Sequence, residues 1–250
     1  MTYAVVTSFS QQGYQLYGER FLKTYRQYWP SDVPLIVYHE GTSLPSWCEA
    51  RNLFAIKDCR DFITRHENNL AVQGRLEIKD KIPWKPKCRK DGYNFRYDAY
   101  KFSRKIFALA DAFKNTSIQK IYWLDADVLT YRSVPVSLLE ILLPRHYALC
   151  YLRRWLHYHS ECGFVGYNLQ HRSTLEFMHR FAQLYASDEF MSYKEWHDSF
   201  IFDQLRYKMH IKSYPLKAKH MNDVFNTSMI GQYMSHLKGP LKYKAHETHQ

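Results

Sequence analysis

The sequence predicts an α/β fold with a parallel sheet, and two observations support this prediction. The chain opens with an apolar strand over residues 3–9, a helical pattern that ends before Pro30, and a second apolar strand over residues 33–39. Farther along, an amphipathic helix leads into another strand-like run at residues 120–124. A strand, a helix and a strand in this order favour parallel pairing, because the helix carries the chain back across the sheet.

The first helix is assigned from aromatic residues spaced three and four positions apart, beginning at Tyr14 and ending at Tyr28. The next segment has weaker signals, which predict a strand at residues 53–58 and a helical stretch over residues 59–72. Residues 79–94 contain two prolines, many charges and no period, so we interpret them as a long basic loop. Loops of this length in a compact domain are usually functional or mobile.

Regular patterns return at Tyr97, where apolar residues spaced three and four apart predict a helix over residues 97–113. Strands are then predicted at residues 120–124, 146–152 and 162–169, and helices at residues 174–186 and 199–209. We find no internal repeat, no low-complexity tract and no linker. A chain of 250 residues can bury a substantial core without metal or disulfide support.

The charge of the chain is strongly positive and unevenly distributed. The formal net charge is +11, and residues 75–105 contain eleven Lys or Arg against four Asp or Glu, while residues 206–250 contain eight against two. Such an excess predicts attraction to polyanions: nucleic acid, an acidic membrane surface or a phosphorylated small molecule. Solvated basic faces are the alternative interpretation. Aromatic residues make up 17% of the chain, which suits a surface on which rings stack.

The cysteine pattern and the hydropathy of the chain suggest a compartment. Five cysteines occur with no CxxC spacing, which argues against a zinc ribbon, a thioredoxin-like motif and a closed disulfide framework. Charged residues and a proline interrupt the longest apolar run, and the first residues lack a basic segment followed by an apolar one. We therefore expect a soluble cytoplasmic protein without a transmembrane segment.

Two carboxylates follow the strand-like run at residues 120–124. Asp125 and Asp127 are separated by Ala126, and side chains two positions apart in an extended chain point to the same side. Two converging carboxylates repel each other unless a positive group lies between them, and a divalent cation satisfies both while also contacting diphosphate oxygens. In open α/β sheets, ligands bind beyond the carboxyl ends of the strands. The alternative is a pair of solvated acidic residues at a turn, because DxD alone is a weak signal.

A second motif lies near the C-terminus. Residues 236–242, HLKGPLK, have the form HxxGxxK. His236 offers a nitrogen ligand, Gly239 allows the backbone to approach a phosphate, and Lys242 offers a positive charge to that phosphate. Together with the DxD pair, these residues predict a site for a metal-bound diphosphate.

With these two motifs the sequence resembles the glycogenin-like and bacterial lipopolysaccharide galactosyltransferase group, family 8 of the GT-A glycosyltransferases. The resemblance implies a GT-A fold, with a Rossmann-like mixed sheet flanked by helices, in a single domain over residues 1–250. Residues 1–129 would form the nucleotide-binding part and residues 130–250 the acceptor and metal-closing part. One departure is that Tyr243 follows the motif where the family often has Pro-Trp, which suggests a distant relative with its own acceptor.

The resemblance also implies roles for individual residues. Asp125, Asp127 and His236 would bind Mn²⁺, with Mg²⁺ as the alternative, while Ala126, Gly239 and Lys242 would contact the nucleotide-sugar. The following residues match other family positions by order: Asp203 and Gln204 on the sugar side, Arg104 in the helix before the DxD, and Thr7 and Ser8 at the nucleoside, with Tyr14 or Tyr17 stacking on the base. Asp198 competes with Asp203 for the position nearer the sugar.

The function expected from these motifs is the metal-dependent transfer of a sugar from a nucleotide-sugar, a UDP-sugar first of all, with retention of anomeric configuration. The basic segments and tyrosines suit a nucleic-acid acceptor such as a modified base in DNA. A cell-surface or lipid-linked saccharide is the alternative acceptor. Two other classes stay open: a basic nucleic-acid-binding or lectin-like module without catalysis, and a metal-dependent phosphoryl-transfer enzyme or nuclease.

Overall fold

The structure is a computed structural model that describes residues 2–75, 92–114, 117–154 and 159–239. Strands in this part of the chain vary from three to eight residues in length. They are β1 Tyr3–Phe9, β2 Leu35–His39, β3 Glu49–Asn52, β4 Gln73–Arg75, β5 Tyr93–Asp98, β6 Lys120–Leu124, β7 Val128–Thr130, β8 Leu149–Leu152, β9 Glu161–Asn168, β10 Ser213–Leu216 and β11 Met234–His236.

The helices alternate with these strands over most of the described chain. They are α1 Gln11–Gly13, α2 Glu19–Tyr28, α3 Lys57–His66, α4 Ala99–Ala112, α5 Val136–Leu142, α6 Arg172–Ala186, α7 Asp198–Lys208 and α8 Val224–Thr227. A π-helical turn, Tyr14–Gly18, joins α1 to α2 without interrupting the helical path. Ser10 caps α1 with its side chain, and Asp98 caps α4 by accepting a hydrogen bond from Lys101 N at 2.9 Å.

Within the described residues, seven strands form one mixed sheet in the order β10-β8-β9-β6-β1-β2-β3. The central pairs β1 with β2 and β1 with β6 are parallel, whereas β9 runs antiparallel to both β6 and β8. The α/β fold predicted from the sequence, with a mixed sheet flanked by helices, is confirmed. The carboxyl ends of β1 and β6 lie side by side because the two strands are parallel.

Buried apolar side chains cover both faces of the sheet. Alternate residues of β1 face opposite ways: Ala4 and Val6 pack with α3, α4, α6 and α7, while Tyr3 and Val5 pack with α2, α5 and α8. The strands at the centre of the sheet therefore have apolar residues on both faces, as the apolar run at residues 121–124 of β6 indicated.

One predicted element is wrong. Residues 53–58, predicted as a strand, form a short 3-10 helix, Leu53–Ala55, and the start of α3. The true strand, β3, comes just before it and is largely exposed at the sheet edge, so it has no apolar alternation to detect. The basic loop expected at residues 79–94 lies mostly outside the described residues, and its last part, from Tyr93, belongs to β5.

Among the residues that the structure describes, no helix has both the length and the apolar composition required to cross a bilayer.

Candidate active site

The two aspartates lie where the sequence places them, just beyond the carboxyl end of β6. All five residues of β6 are buried, and the chain then turns, with Val128 N donating to Asp125 O at 3.0 Å. Asp125 N donates to Gly163 O at 2.9 Å, which ties the turn to the neighbouring strand β9. Ala126 packs against the apolar cluster beside the turn, and it lines the cavity together with Asp125 and Asp127.

His236 reaches the aspartates through a small second sheet. β11 pairs antiparallel with β7, the strand directly after the DxD turn, and the register places His236 opposite Val128. Leu237 N also donates to Asp127 O at 3.1 Å. The return of the C-terminal segment to this turn therefore depends on backbone pairing between residues more than a hundred positions apart.

The imidazole of His236 faces carboxylates on both sides. Its Nε2 lies 3.0 Å from Asp127 Oδ1 and 3.8 Å from Asp125 Oδ2, and its Nδ1 lies 3.4 Å from Glu161 Oε1. Burial would lower the pKa of His236, but the hydrogen-bonding carboxylates of Asp127 and Glu161 outweigh burial and raise this pKa to about 9. The carboxylates thus favour a positive charge, a proton or a metal cation, at Nε2.

The donor set fits a divalent metal. Asp125, Asp127 and His236 each offer one ligand atom, and these atoms lie within 4.8 Å of one another. A ligating histidine usually donates its other ring N–H to a carboxylate, and Glu161 occupies that position at Nδ1. One imidazole beside two carboxylates suits Mn²⁺ better than Mg²⁺, which prefers oxygen ligands and retained waters.

Glu161 is itself held by cations. Arg154 and Lys238 both donate to Glu161 Oε2. Burial would raise the pKa of Glu161, but the His236 hydrogen bond and the positive charges of Lys238 and Arg154 hold it well below its usual range. Lys238 lies within the HxxGxxK segment, so the carboxylate that orients the imidazole also fixes the chain just after it.

Gly163 provides the space for the imidazole. A Cβ at Gly163 would lie 2.7 Å from both Cε1 and Nδ1 of His236, closer than real Cβ atoms approach other heavy atoms. Any larger residue at this position on β9 would push the ring away from the aspartates. This dependence on a single glycine is a structural requirement that the sequence motifs did not reveal.

Lys105 is a functional candidate that the sequence analysis missed. Its Nζ lies 3.4 Å from Asp125 Oδ1 and 2.8 Å from Asp198 Oδ2, and it also donates to Cys162 O. Burial would lower the pKa of Lys105, but Asp125 and Asp198 outweigh it and raise this pKa above its ordinary value. Its place on α4 was the one signal in the sequence. Lys105 is three residues after Phe102, on the side of the helix expected to be buried, where a lysine needs a charged partner.

The structure does not bring the other predicted site residues together. Arg104 lines the cavity and pairs with Glu40 at 2.6 Å rather than with the aspartates. Asp203 accepts hydrogen bonds from Ser160 N at 2.8 Å and Ser160 Oγ at 2.7 Å, so it positions the chain entering β9. Gln204 is exposed and is not among the residues lining the cavity.

Two more predicted residues lie at the end of β1. Ser8 lines the cavity, whereas Thr7 is fully buried and is not among the lining residues. Tyr17 lines the cavity nearby, unlike Tyr14.

At the other motif, Gly239 has a left-handed backbone with φ of +57°, which glycine adopts without strain. Lys242 lies outside the described residues.

The cavity in front of these groups has a volume of about 1230 Å³. Pockets for a single small ligand usually measure about 300 to 1,000 Å³, so this one has room for more than one small ligand. Among its described lining residues, eight Lys or Arg stand against seven Asp or Glu. The basic excess of the chain is therefore not concentrated on the described cavity wall.

No family model matches the chain, and no curated protein matches it. Among solved structures it is similar to a glycosyltransferase involved in the glycosylation of the major capsid of PBCV-1, with a TM-score of 0.52 and 10% identity over 98% of this chain and 100% of that chain. Mouse xyloside xylosyltransferase 1 (TM-score 0.41, 14% identity, 92% of this chain and 81% of that chain) and the glycosyltransferase GlyE of Streptococcus pneumoniae TIGR4 (0.48, 14%, 86% and 45%) are also similar. The first likeness, at so low an identity, concerns the fold alone, and it confirms the GT-A type of fold expected from the sequence.

Proposed function

We propose that this protein is a metal-dependent glycosyltransferase that moves a sugar from a UDP-sugar to an acceptor hydroxyl with retention of anomeric configuration. The observation that carries the proposal is the contact of His236 with both aspartates. An imidazole and two carboxylates converge beyond the carboxyl end of a central strand, the edge at which α/β sheets bind ligands. A binding module without catalysis has no need for this arrangement.

Asp125, Asp127 and His236 would hold Mn²⁺, which would supply positive charge beside the diphosphate as it leaves. The described residues add cations of their own: Lys238 and Arg104 line the cavity. In the proposal Gly239 lets the backbone approach the diphosphate. Lys242 would neutralise its charge.

On the sugar side we assign the main role to Asp198. This residue lines the cavity and is nine-tenths buried, and Lys105 holds its carboxylate and that of Asp125 in one orientation. The family resemblance suggested Asp203 and Gln204 for the sugar side, but neither residue lines the cavity. Their positions support an indirect role. Asp203 would act by positioning Ser160 and the chain that leads to Glu161.

The nucleoside would lie across the end of β1. Ser8 would contact the nucleoside, and Tyr17 would stack on the base. Thr7, which is buried, would hold the end of the strand in place.

For the acceptor, Phe95 offers an apolar ring on the cavity wall with 49% of its surface exposed. An exposed ring of this kind stacks on either a sugar face or a base, so both acceptor classes enter the test below. A DNA acceptor would require the lysines and arginines of residues 76–91 and 240–250, because the described lining is nearly neutral.

The first experiment is thermal unfolding with UDP, Mn²⁺, both together, and both with EDTA. We expect the melting temperature to rise most with UDP and Mn²⁺ together and to return to its starting value with EDTA. His236→Gln should abolish this rise, while His220→Gln, which changes an exposed imidazole of the same segment, should keep it. Stabilisation by DNA alone, with none from UDP and Mn²⁺, would instead support the binding module.

The second experiment measures turnover. A panel of nucleotide-sugars is incubated with the protein and Mn²⁺, and released nucleotide is quantified. The best donor is then offered duplex DNA containing hydroxymethylated bases, or oligosaccharides, and the product is identified by mass spectrometry. No nucleotide release from any donor, combined with cleavage of DNA, would favour the phosphoryl-transfer alternative.

A further inference from the structure

A second cluster of metal-ligand side chains lies on the wall of the same cavity. His159 precedes β9, and Glu195 and His197 lie just before α7. Glu195 and His197 are at least nine-tenths buried, and the side chain of His159 is 30% exposed. None of these residues belongs to the DxD or HxxGxxK motif, and the function proposed above assigns them no role.

The polar atoms of the cluster converge on one point. Glu195 Oε2 lies 3.0 Å from His197 Nε2 and 3.4 Å from His159 Nε2. One ligand atom from each of the three residues falls within 4.8 Å of the others. Two imidazoles, one buried and one partly exposed, thus face the same carboxylate oxygen. One imidazole would be enough to give that oxygen a hydrogen bond.

These separations match a tetrahedral metal centre. Ligands at 2.0–2.1 Å from a tetrahedral zinc ion are about 3.3 to 3.4 Å apart. Two imidazoles on such an ion have ring centres about 5 Å apart, and the rings of His159 and His197 are separated by 5.4 Å. Both nitrogen-to-carboxylate distances and the ring spacing are therefore close to those of a tetrahedral site.

The surroundings hold the cluster in place. Arg96 Nη1 binds the other carboxylate oxygen of Glu195 at 2.8 Å, leaving Oε2 to the histidines. The backbone of β5 also holds this segment, since Arg96 O accepts hydrogen bonds from Trp196 N and His197 N. Phe200 contacts both imidazole rings, with centroid distances of 4.9 Å to His159 and 6.5 Å to His197. Metal ligands are usually oriented by such supporting contacts.

We infer that His159, Glu195 and His197 form a second divalent-cation site, of the zinc type, on the wall of the cavity. Two imidazoles and one carboxylate are a ligand set found in zinc centres that keep a fourth position open. Because the cluster lines the cavity, the fourth position would take water or an oxygen of a ligand bound there. This site is separate from the Mn²⁺ site of the proposed function and does not depend on it.

The test is direct metal binding to the full chain. The protein is stripped with a chelator and titrated with Co²⁺, whose visible absorption is strong in tetrahedral sites and weak in octahedral ones, and then with Zn²⁺ in competition. We expect one equivalent of tetrahedral Co²⁺ that Zn²⁺ displaces. His159→Ala, at the partly exposed ligand, should weaken this binding at least tenfold. Glu195→Gln should do the same if circular dichroism shows that it folds.

Two controls separate this inference from the proposed function. His179→Ala removes an exposed imidazole and should leave the Co²⁺ spectrum unchanged, as should Asp127→Asn. Absence of a tetrahedral spectrum, or a spectrum unaffected by His159→Ala, overturns the second site, whatever UDP and Mn²⁺ do. Conversely, a full-length chain that shows the tetrahedral Co²⁺ spectrum but does not bind UDP and Mn²⁺ would overturn the proposed function and leave the second site standing.

Discussion

Replacing Gly163 with Ala tests whether the proposed Mn²⁺ site depends on the position of His236. The added Cβ would lie 2.7 Å from His236 Cε1 and Nδ1, where ordinary contacts begin at 3.4 Å. The ring must therefore retreat by about 0.7 Å or the strand must bend. Asp127 and Glu161 flank the imidazole, so its retreat lengthens the contacts that hold it.

The expected cost in stability follows from overpacking, which typically destabilises a core by about 1 to 3 kcal/mol. For a chain of this size that corresponds to a melting temperature lower by roughly 2 to 12 °C. Because the ring moves out of position, we also expect Mn²⁺ affinity to fall at least tenfold. Electron paramagnetic resonance of free Mn²⁺ measures that affinity directly.

A matched control lies three residues farther along the same strand. A Cβ at Gly166 would meet Cys150 Sγ at 2.6 Å and Tyr122 Cε1 at 2.9 Å, an overlap as severe as at Gly163 but remote from the aspartates. Gly166→Ala should therefore lose similar stability and keep wild-type Mn²⁺ affinity. If Gly163→Ala binds Mn²⁺ as tightly as Gly166→Ala, the link between the imidazole position and the metal site is wrong.

Three further predictions concern other parts of the molecule. Lys105→Met leaves the buried carboxylate of Asp198 and the partly exposed carboxylate of Asp125 without their cation. Because the Lys105–Asp198 pair is buried, the free energy of unfolding should fall by about 3 to 5 kcal/mol in urea titrations, whereas exposed Lys101→Met on the same helix should change it little. Asp188 pairs with an arginine and a histidine of α3; burial would raise its pKa, but those hydrogen bonds outweigh it and hold the pKa below the ordinary value. Its contribution is thus present above the pKa of the unfolded chain and lost as pH falls through the lower pKa of the folded state, so the cost of Asp188→Asn should be about 1 kcal/mol at pH 7 and should shrink steadily on acidification; a cost that does not change with pH would refute this. Burial raises the pKa of Cys59 and that of Cys150 to about 12, so neither thiol should react with iodoacetamide at pH 8 until the protein unfolds, as peptide mass spectrometry would report.

Local patterns in the sequence predicted most of the fold. The central strands β1 and β6 each contain an apolar run of four residues, and α4 has a clear helical period, so the local sequence pattern identifies them. The edge strand β3 was not predicted, because it pairs on one side only and most of its side chains face solvent. Where burial does not select apolar residues, periodicity contains no signal.

The candidate site was partly predictable for the same reason. Asp125 and Asp127 share a side because of their spacing in the chain. His236 was found from a motif that resembles those of a known family. Lys105 was missed, because what distinguishes it is its contact with Asp198, ninety-three positions away in the sequence.

The features that the sequence determined by itself are local. They are the positions of most strands and helices, the carboxylate pair after a buried strand, and a histidine and a glycine three positions apart near the C-terminus. Only the tertiary structure decided that β11 pairs with β7, that Gly163 leaves space for an imidazole, and that His159 meets Glu195 and His197. The physical reason is that helix and strand periods arise from neighbouring residues, whereas these contacts depend on how distant segments pack and pair.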